Sequence, residues 1–140
     1  MTLVERLDAY EKLLRLDKPI GILLLLWPCL WGLWFAAYGI PDLDIFLVFV
    51  TGTILVRSAG CAVNDFADRD FDGQVERTRD RPLASRRIRP WEALALAGAL
   101  FLTAFVLVLQ KTRALFNREA ALGRSVQQDL EWLDATATEF

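Results

Sequence analysis

Three blocks of nineteen mostly apolar residues, Ile20–Tyr38, Ile45–Val63 and Trp91–Leu109, constrain this chain more than any other feature. A helix needs about 20 such residues to cross roughly 30 Å of hydrocarbon. Each block meets that length with few interruptions: Pro28 and two glycines in the first, Arg57 in the second, Glu92 at the edge of the third. Apolar residues make up 54% of the 140 and charged residues 24%, and the two classes are segregated along the chain. Segregation of this kind predicts an all-α integral membrane protein with three transmembrane helices rather than a soluble domain.

The flanks extend that reading. Leu3, Leu7, Tyr10 and Leu14 recur at helical spacing, so residues 1–19 form an amphipathic helix suited to the membrane surface. Pro19 marks the turn into the first span. The N-terminal segment carries four basic residues and the connection 64–90 carries seven arginines, whereas the Gly39–Asp44 turn carries none. Basic residues stay on the cytoplasmic side, which places the N-terminus and the 64–90 loop there. Arg15 and Lys18 read as interfacial anchors. Small residues recur at Ala95, Ala99 and Thr103, and at Gly52 and Gly60, spacings that suit close helix packing. From Lys111 the chain turns polar. Leu115, Leu122, Val126, Leu130 and Leu133 mark one stripe of a C-terminal amphipathic helix over residues 111–140.

Composition also excludes chemistry. With no histidine, His-ligated zinc and His-based triads are ruled out. Cys29 and Cys61 fit no metal spacing and read as free thiols inside helices. The formal net charge of −2 says little about partners; the membrane character leads to the expectation of a lipid bilayer and no nucleic acid.

Against this background, Asn64-Asp65-Phe66-Ala67-Asp68-Arg69-Asp70-Phe71-Asp72 stands out: four aspartates in eight residues at the end of an apolar block. Charge placed there is costly unless it is paired, hydrated or functional. If the second helix continues through Asp72, then Asn64, Asp65, Asp68 and Asp72 share one face, with Arg57 and Cys61 on the same stripe; Asp70 points elsewhere. Neighbouring carboxylates repel, and a hard divalent cation relieves that. Mg²⁺ prefers one or two carboxylates plus phosphate oxygens and water over a full protein cage. Arg77, Arg79 and Arg81 follow, then Arg86, Arg87 and Arg89. Guanidinium groups grip phosphate oxygens in pairs. Carboxylates, arginines and apolar helices together suggest a lipid diphosphate. The plainer alternative is a solvated, self-paired loop whose arginines only fix topology, with Arg57 snorkelling or pairing with Asp65 or Asp68.

The segment Asn64-Asp65-x-x-Asp68-x-x-x-Asp72 resembles the first aspartate-rich motif of the UbiA-type intramembrane prenyltransferases, most closely their bacterial 4-hydroxybenzoate branch. The resemblance extends through Leu16-Asp17-Lys18-Pro19-Ile20-Gly21, Leu26-Trp27-Pro28-Cys29-Leu30-Trp31-Gly32-Leu33-Trp34, Arg57-Ser58-Ala59-Gly60-Cys61 and Val75-Glu76-Arg77-Thr78-Arg79-Asp80-Arg81-Pro82-Leu83-Ala84-Ser85. It covers about residues 13–109. It implies a nine-helix fold in the bacterial inner membrane and Mg²⁺-dependent transfer of a polyprenyl group from its diphosphate to 4-hydroxybenzoate, within ubiquinone biosynthesis. It further implies a metal–diphosphate face of Asn64, Asp68 and Asp72, with Asp65 supporting and Asp68 and Asp72 catalytic. Arg57, Arg79 and Arg81 become candidates for contact with the diphosphate.

The chain also departs from that pattern. The family carries a second Asp-x-x-x-Asp pair in its later half, whereas Asp129 and Asp134 lie five apart in polar surroundings. The expectation is a three-span portion of the fold (20–110) joined to a divergent tail, inactive by itself. Two other functions compete: a small non-enzymatic membrane protein that binds a lipid diphosphate or a partner, and a site assembled from two copies.

Overall fold

A computed structural model describes residues 2–137, with side chains through residue 131. Leu133 and the Asp134 side chain therefore lie outside the described residues. Four helices follow one another: α1 (Leu3–Leu13), α2 (Ile20–Ala36), α3 (Leu43–Asp72) and α4 (Pro90–Ala137). Among the described residues there is no strand. α3 and α4 are long and apolar enough to cross a membrane, and α2 is a shorter apolar helix of 17 residues.

Local sequence explains most boundaries. Thr2 and Glu5 form a reciprocal capping box at the start of α1. Pro19 opens α2, where its missing N–H costs nothing. Tyr38, in the left-handed backbone region with φ 52°, turns the chain out of α2. α3 runs without a break from its apolar half through the acidic motif. Its end is held by the buried Thr78, whose hydroxyl donates to the Asp72 carbonyl at 3.0 Å and satisfies one of the helix's orphan acceptors. α4 keeps its helix past Gln110, where apolarity falls but strong helix formers continue.

The chain falls into two compact units, Met1–Leu107 and Val108–Phe140. The first has a core of mostly small residues. Ala9 and Leu13 of α1 meet Ala59 and Ala62 of α3, Leu83 and Ile88 of the loop after α3, and Ala93 and Ala97 of α4. Alanines let helix backbones approach closely, so contact comes from dispersion rather than from large side chains. α2 packs on α3, where Trp34 meets Phe46 edge-on with centroids 6.0 Å apart. In the second unit Leu115, Leu122, Val126 and Leu130 are all exposed.

Three packing expectations change. In α1, Ala9 and Leu13 are buried while Leu3 and Leu7 stay exposed. Docking therefore centres on a neighbouring stripe, joined by Tyr10 and Leu14 of the expected one, and leaves Leu3 and Leu7 exposed. In α4, Ala93, Ala97 and Ala104 are buried, while Ala95, Ala99 and Thr103 are exposed. The two sets, Ala93 and Ala97 followed by Ala104, and Ala95, Ala99 and Thr103, lie on nearly opposite faces, and contact selects the first. A Cβ added at Gly52 or Gly60 would meet nothing within 4 Å, so neither glycine marks a close helix crossing.

Candidate functional site at the end of α3

The helix through Asp72 sets out the acidic motif as two pairs. Asp65 and Asp72 lie within about 20° of each other on the helical wheel, and Asn64 and Asp68 within about 40°. The first pair faces inward: Asp65 is 2% exposed and Asp72 7%. The second pair is accessible, and Asn64 Nδ2 donates to Asp68 Oδ2 at 3.1 Å. Asp70 is exposed, and among the described residues its ion pair is with its neighbour Arg69, at 3.5 Å. Arg69 itself folds back, donating to the Phe66 carbonyl at 2.7 Å and lying 4.4 Å from the Phe66 ring centre.

Buried charges persist only when paired. Asp65 Oδ1 accepts from Arg15 Nη2 at 3.1 Å and lies 3.3 Å from Arg81 Nη1. The same Arg81 nitrogen donates to Asp72 Oδ2 at 2.7 Å. One arginine thus spans two carboxylates, and a second arrives from the turn after α1. Arg15 sits in the left-handed region with φ 57°, a conformation that costs a non-glycine residue about 1–3 kcal/mol and survives only when its surroundings impose it. Its role is more than interfacial anchoring. Asp65 Oδ2 is buried and has no hydrogen-bond partner among the described residues. A second tie joins α1 to α4: Tyr10 donates to Glu92 Oε2 at 3.0 Å, and Arg6 reaches the same oxygen at 3.3 Å.

Of the arginines proposed for a diphosphate, only Arg81 meets the motif. Arg57 forms no ion pair with Asp65 or Asp68 among the described residues. Its guanidinium lies over Gly21 of α2, where an added Cβ would stand 2.9 Å from Nη2. Arg79 is exposed and makes no ion pair among the described residues. A polar cavity of about 440 Å³ adjoins the cluster, lined by Lys12, Arg15, Asp17, Lys18, Arg77, Thr78, Asp80, Arg81, Pro82 and Arg87. Sequence reasoning missed Arg15 and Lys18 as part of this surface. Their place immediately before the first apolar block was the available signal.

Among the described residues, no three acidic or cysteine side chains come together to hold a metal ion. The donor set nevertheless fits a hard cation in part. Asn64 and Asp68 offer accessible oxygens, and Asp68 has no cationic partner among the described residues. Asp72 would be available if Arg81 gave way. Two or three such oxygens suit Mg²⁺ that takes its remaining ligands from phosphate and water, not a self-contained protein site.

An all-helical chain with apolar helices of spanning length, one of them ending in paired carboxylates and arginines, belongs structurally with the helical membrane proteins. Residues 25–122 match the model of the UbiA prenyltransferase family, and the chain belongs to that family. The match extends beyond the third apolar block into the polar segment. The chain is 68% identical over 108 residues to the 4-hydroxybenzoate octaprenyltransferase of Nitrosospira multiformis, covering 77% of this chain and 37% of that protein. It is 62% identical over 109 residues to the protein of the same name from Azoarcus sp., covering 78% and 38% respectively. The counterpart from Thiobacillus denitrificans is 64% identical over 109 residues, with 78% and 37% covered. The chain thus spans just over a third of the length of these relatives. No solved structure matches it.

Proposed function

We propose that these residues supply the first acidic half-site of a 4-hydroxybenzoate polyprenyltransferase. The reaction of the whole protein is transfer of a polyprenyl group from its diphosphate to 4-hydroxybenzoate. The observation that carries this reading is the accessible Asn64–Asp68 pair beside Arg81-bound Asp72, in a chain over 60% identical across 108–109 residues to three proteins named 4-hydroxybenzoate octaprenyltransferase.

The helix lengths support a membrane setting. At 1.5 Å per residue, the 30 residues of α3 rise about 45 Å, roughly 15 Å more than the hydrocarbon core. That excess carries the acidic motif to the headgroups, where a diphosphate can sit with its lipid tail along the apolar helices. α2, α3 and the apolar part of α4 then cross a bacterial cytoplasmic membrane, with α1 and the motif on the cytoplasmic side by their basic residues. α2 rises only about 25 Å, so its turns and Trp residues complete the crossing at the interface. Near the other end of α2, Trp27, Leu30, Trp31, Trp34, Phe35, Tyr38 and Gly39 line an apolar cavity of about 660 Å³ suited to hydrocarbon.

Asn64, Asp68 and Asp72 would hold Mg²⁺, which when bound supplies charge stabilisation for the departing diphosphate. Arg81 then has two uses. It pairs with Asp65 and Asp72, and its guanidinium can turn to phosphate oxygens as Asp72 is released. Such a donor placed where negative charge develops favours departure over the bound ground state. Arg57 and Arg79 are weaker candidates for the same role, since neither touches the motif.

The test is a chimera. The chain is joined to the later portion of the N. multiformis relative and assayed in membranes for a prenylated 4-hydroxybenzoate. Activity that is lost on Asp68→Ala supports the reading. A chimera that inserts and folds but forms no product, beside an active relative, overturns it.

A further inference from the structure

We propose that Asp65 is a positioning residue that anchors two arginines, rather than a ligand of the cation. This rests on the prenyl-transfer reading above and divides the labour within its acidic motif. Asp65 is the most enclosed carboxylate of the motif, and one of its oxygens already faces both Arg15 and Arg81. A divalent cation there would stand beside two guanidinium groups, and like charges repel strongly where water is scarce. Asn64 is exposed and Asp68 half-buried, and among the described residues no arginine pairs with either. The fixed anion therefore serves the arginines, and the cation is left to the accessible side.

The two arginines come from distant parts of the chain. Arg15 follows α1 and Arg81 lies in the loop after α3, so one carboxylate ties both segments to the same helix end. Shared with Asp72 at 2.7 Å, Arg81 is held within reach of the carboxylate it must release. Asp65 keeps Arg81 in place when Asp72 lets go, which prevents the arginine from swinging into solvent. The left-handed backbone at Arg15 is part of the same anchor.

Hydrogen exchange and Mn²⁺ binding on the full chain in lipid nanodiscs separate the two roles. Mn²⁺ with inorganic diphosphate is the probe, read by electron paramagnetic resonance. Asp65→Asn and Arg15→Gln should each speed exchange of the α1 amides at least about tenfold, as expected when a buried ion pair loses one partner. The amides of α2 should stay as in the wild type, which distinguishes local release from unfolding. Arg15→Lys, which keeps a cation, should restore most of the protection. Mn²⁺ affinity should fall far less in Arg15→Gln and Asp65→Asn than in Asp68→Asn, because neither is a ligand, although Asp65 shares Arg81 with Asp72. Unchanged α1 exchange, or a loss of Mn²⁺ affinity of about tenfold in Asp65→Asn, as large as in Asp68→Asn, would overturn the positioning role. Failure of the wild type to take up Mn²⁺ would overturn the prenyl-transfer reading instead; exchange alone then decides Asp65, acceleration supporting the anchor and no change refuting it.

Discussion

Removing the charge of Arg81 should be the most damaging single change at the end of α3. Its guanidinium holds Asp72 at 2.7 Å and Asp65 at 3.3 Å, and its side chain is 21% exposed. Arg81→Met keeps the length of the apolar stem and removes both ion pairs. Asp72 then loses its only cation among the described residues, and Asp65 keeps Arg15 alone. Breaking a buried pair by deleting one partner costs about 3–5 kcal/mol. Water reaches a fifth of Arg81 and screens the pair, so the cost falls just below that scale, roughly 2–3 kcal/mol. For a unit of about a hundred residues this corresponds to a fall in Tm of roughly 10–20 °C. Thermal loss of helical circular dichroism in detergent micelles measures it. Asp72→Asn in the same chain should recover part of the loss, because the unpaired carboxylate is what costs most. A fall of less than about 2 °C, or strictly additive effects of the two substitutions, would refute the reasoning.

Two further outcomes follow from packing. Leu13→Ala removes a fully buried side chain of α1 from the alanine-rich core, and should destabilise the first unit by about 2–4 kcal/mol in the same melt, whereas Leu7→Ala should be nearly silent. Gly21→Ala places a methyl group against the flexible end of Arg57; the guanidinium can yield, so stability should change by less than about 1 kcal/mol, while Gly21→Leu should lower the Tm clearly by separating α2 from α3.

The sequence foretold some of this architecture and was silent on the rest for identifiable reasons. The helical character of the apolar blocks follows from their length and composition, which are local. The continuation of α3 to Asp72 is only a supposition at that level, where residues 64–90 read as one loop, and the structure makes 64–72 the end of the helix. The membrane-surface reading of α1 rests on Leu3, Leu7, Tyr10 and Leu14; Tyr10 and Leu14 do pack against the core, but its buried contacts are Ala9 and Leu13, and alanine adds little to an apolar pattern. On α4 two stripes of small residues had helical spacing, so only tertiary contact could choose between them. The polar stretch after Gln110 looked like a change of element, yet loss of apolarity is not loss of helix: residues 111–122 contain no proline or glycine. At the acidic motif, spacing put four residues on one face. It could not separate the buried Asp65 and Asp72 from the accessible Asn64 and Asp68, because that division depends on what packs against the helix. Nor could a run of seven arginines be ranked from sequence. Arg81 is selected by the folding back of its loop, in which Leu83 and Ile88 are buried.

The central claim is that the accessible side of the motif holds a divalent cation together with a diphosphate. Titration of Mn²⁺ into the chain in lipid nanodiscs, with and without inorganic diphosphate, tests it most directly. Diphosphate should strengthen uptake in the wild type, Asp68→Asn should weaken it by about tenfold or more, and Asp70→Asn should leave it unchanged. Equal binding by wild type and Asp68→Asn, or equal losses at Asp68 and Asp70, would contradict it.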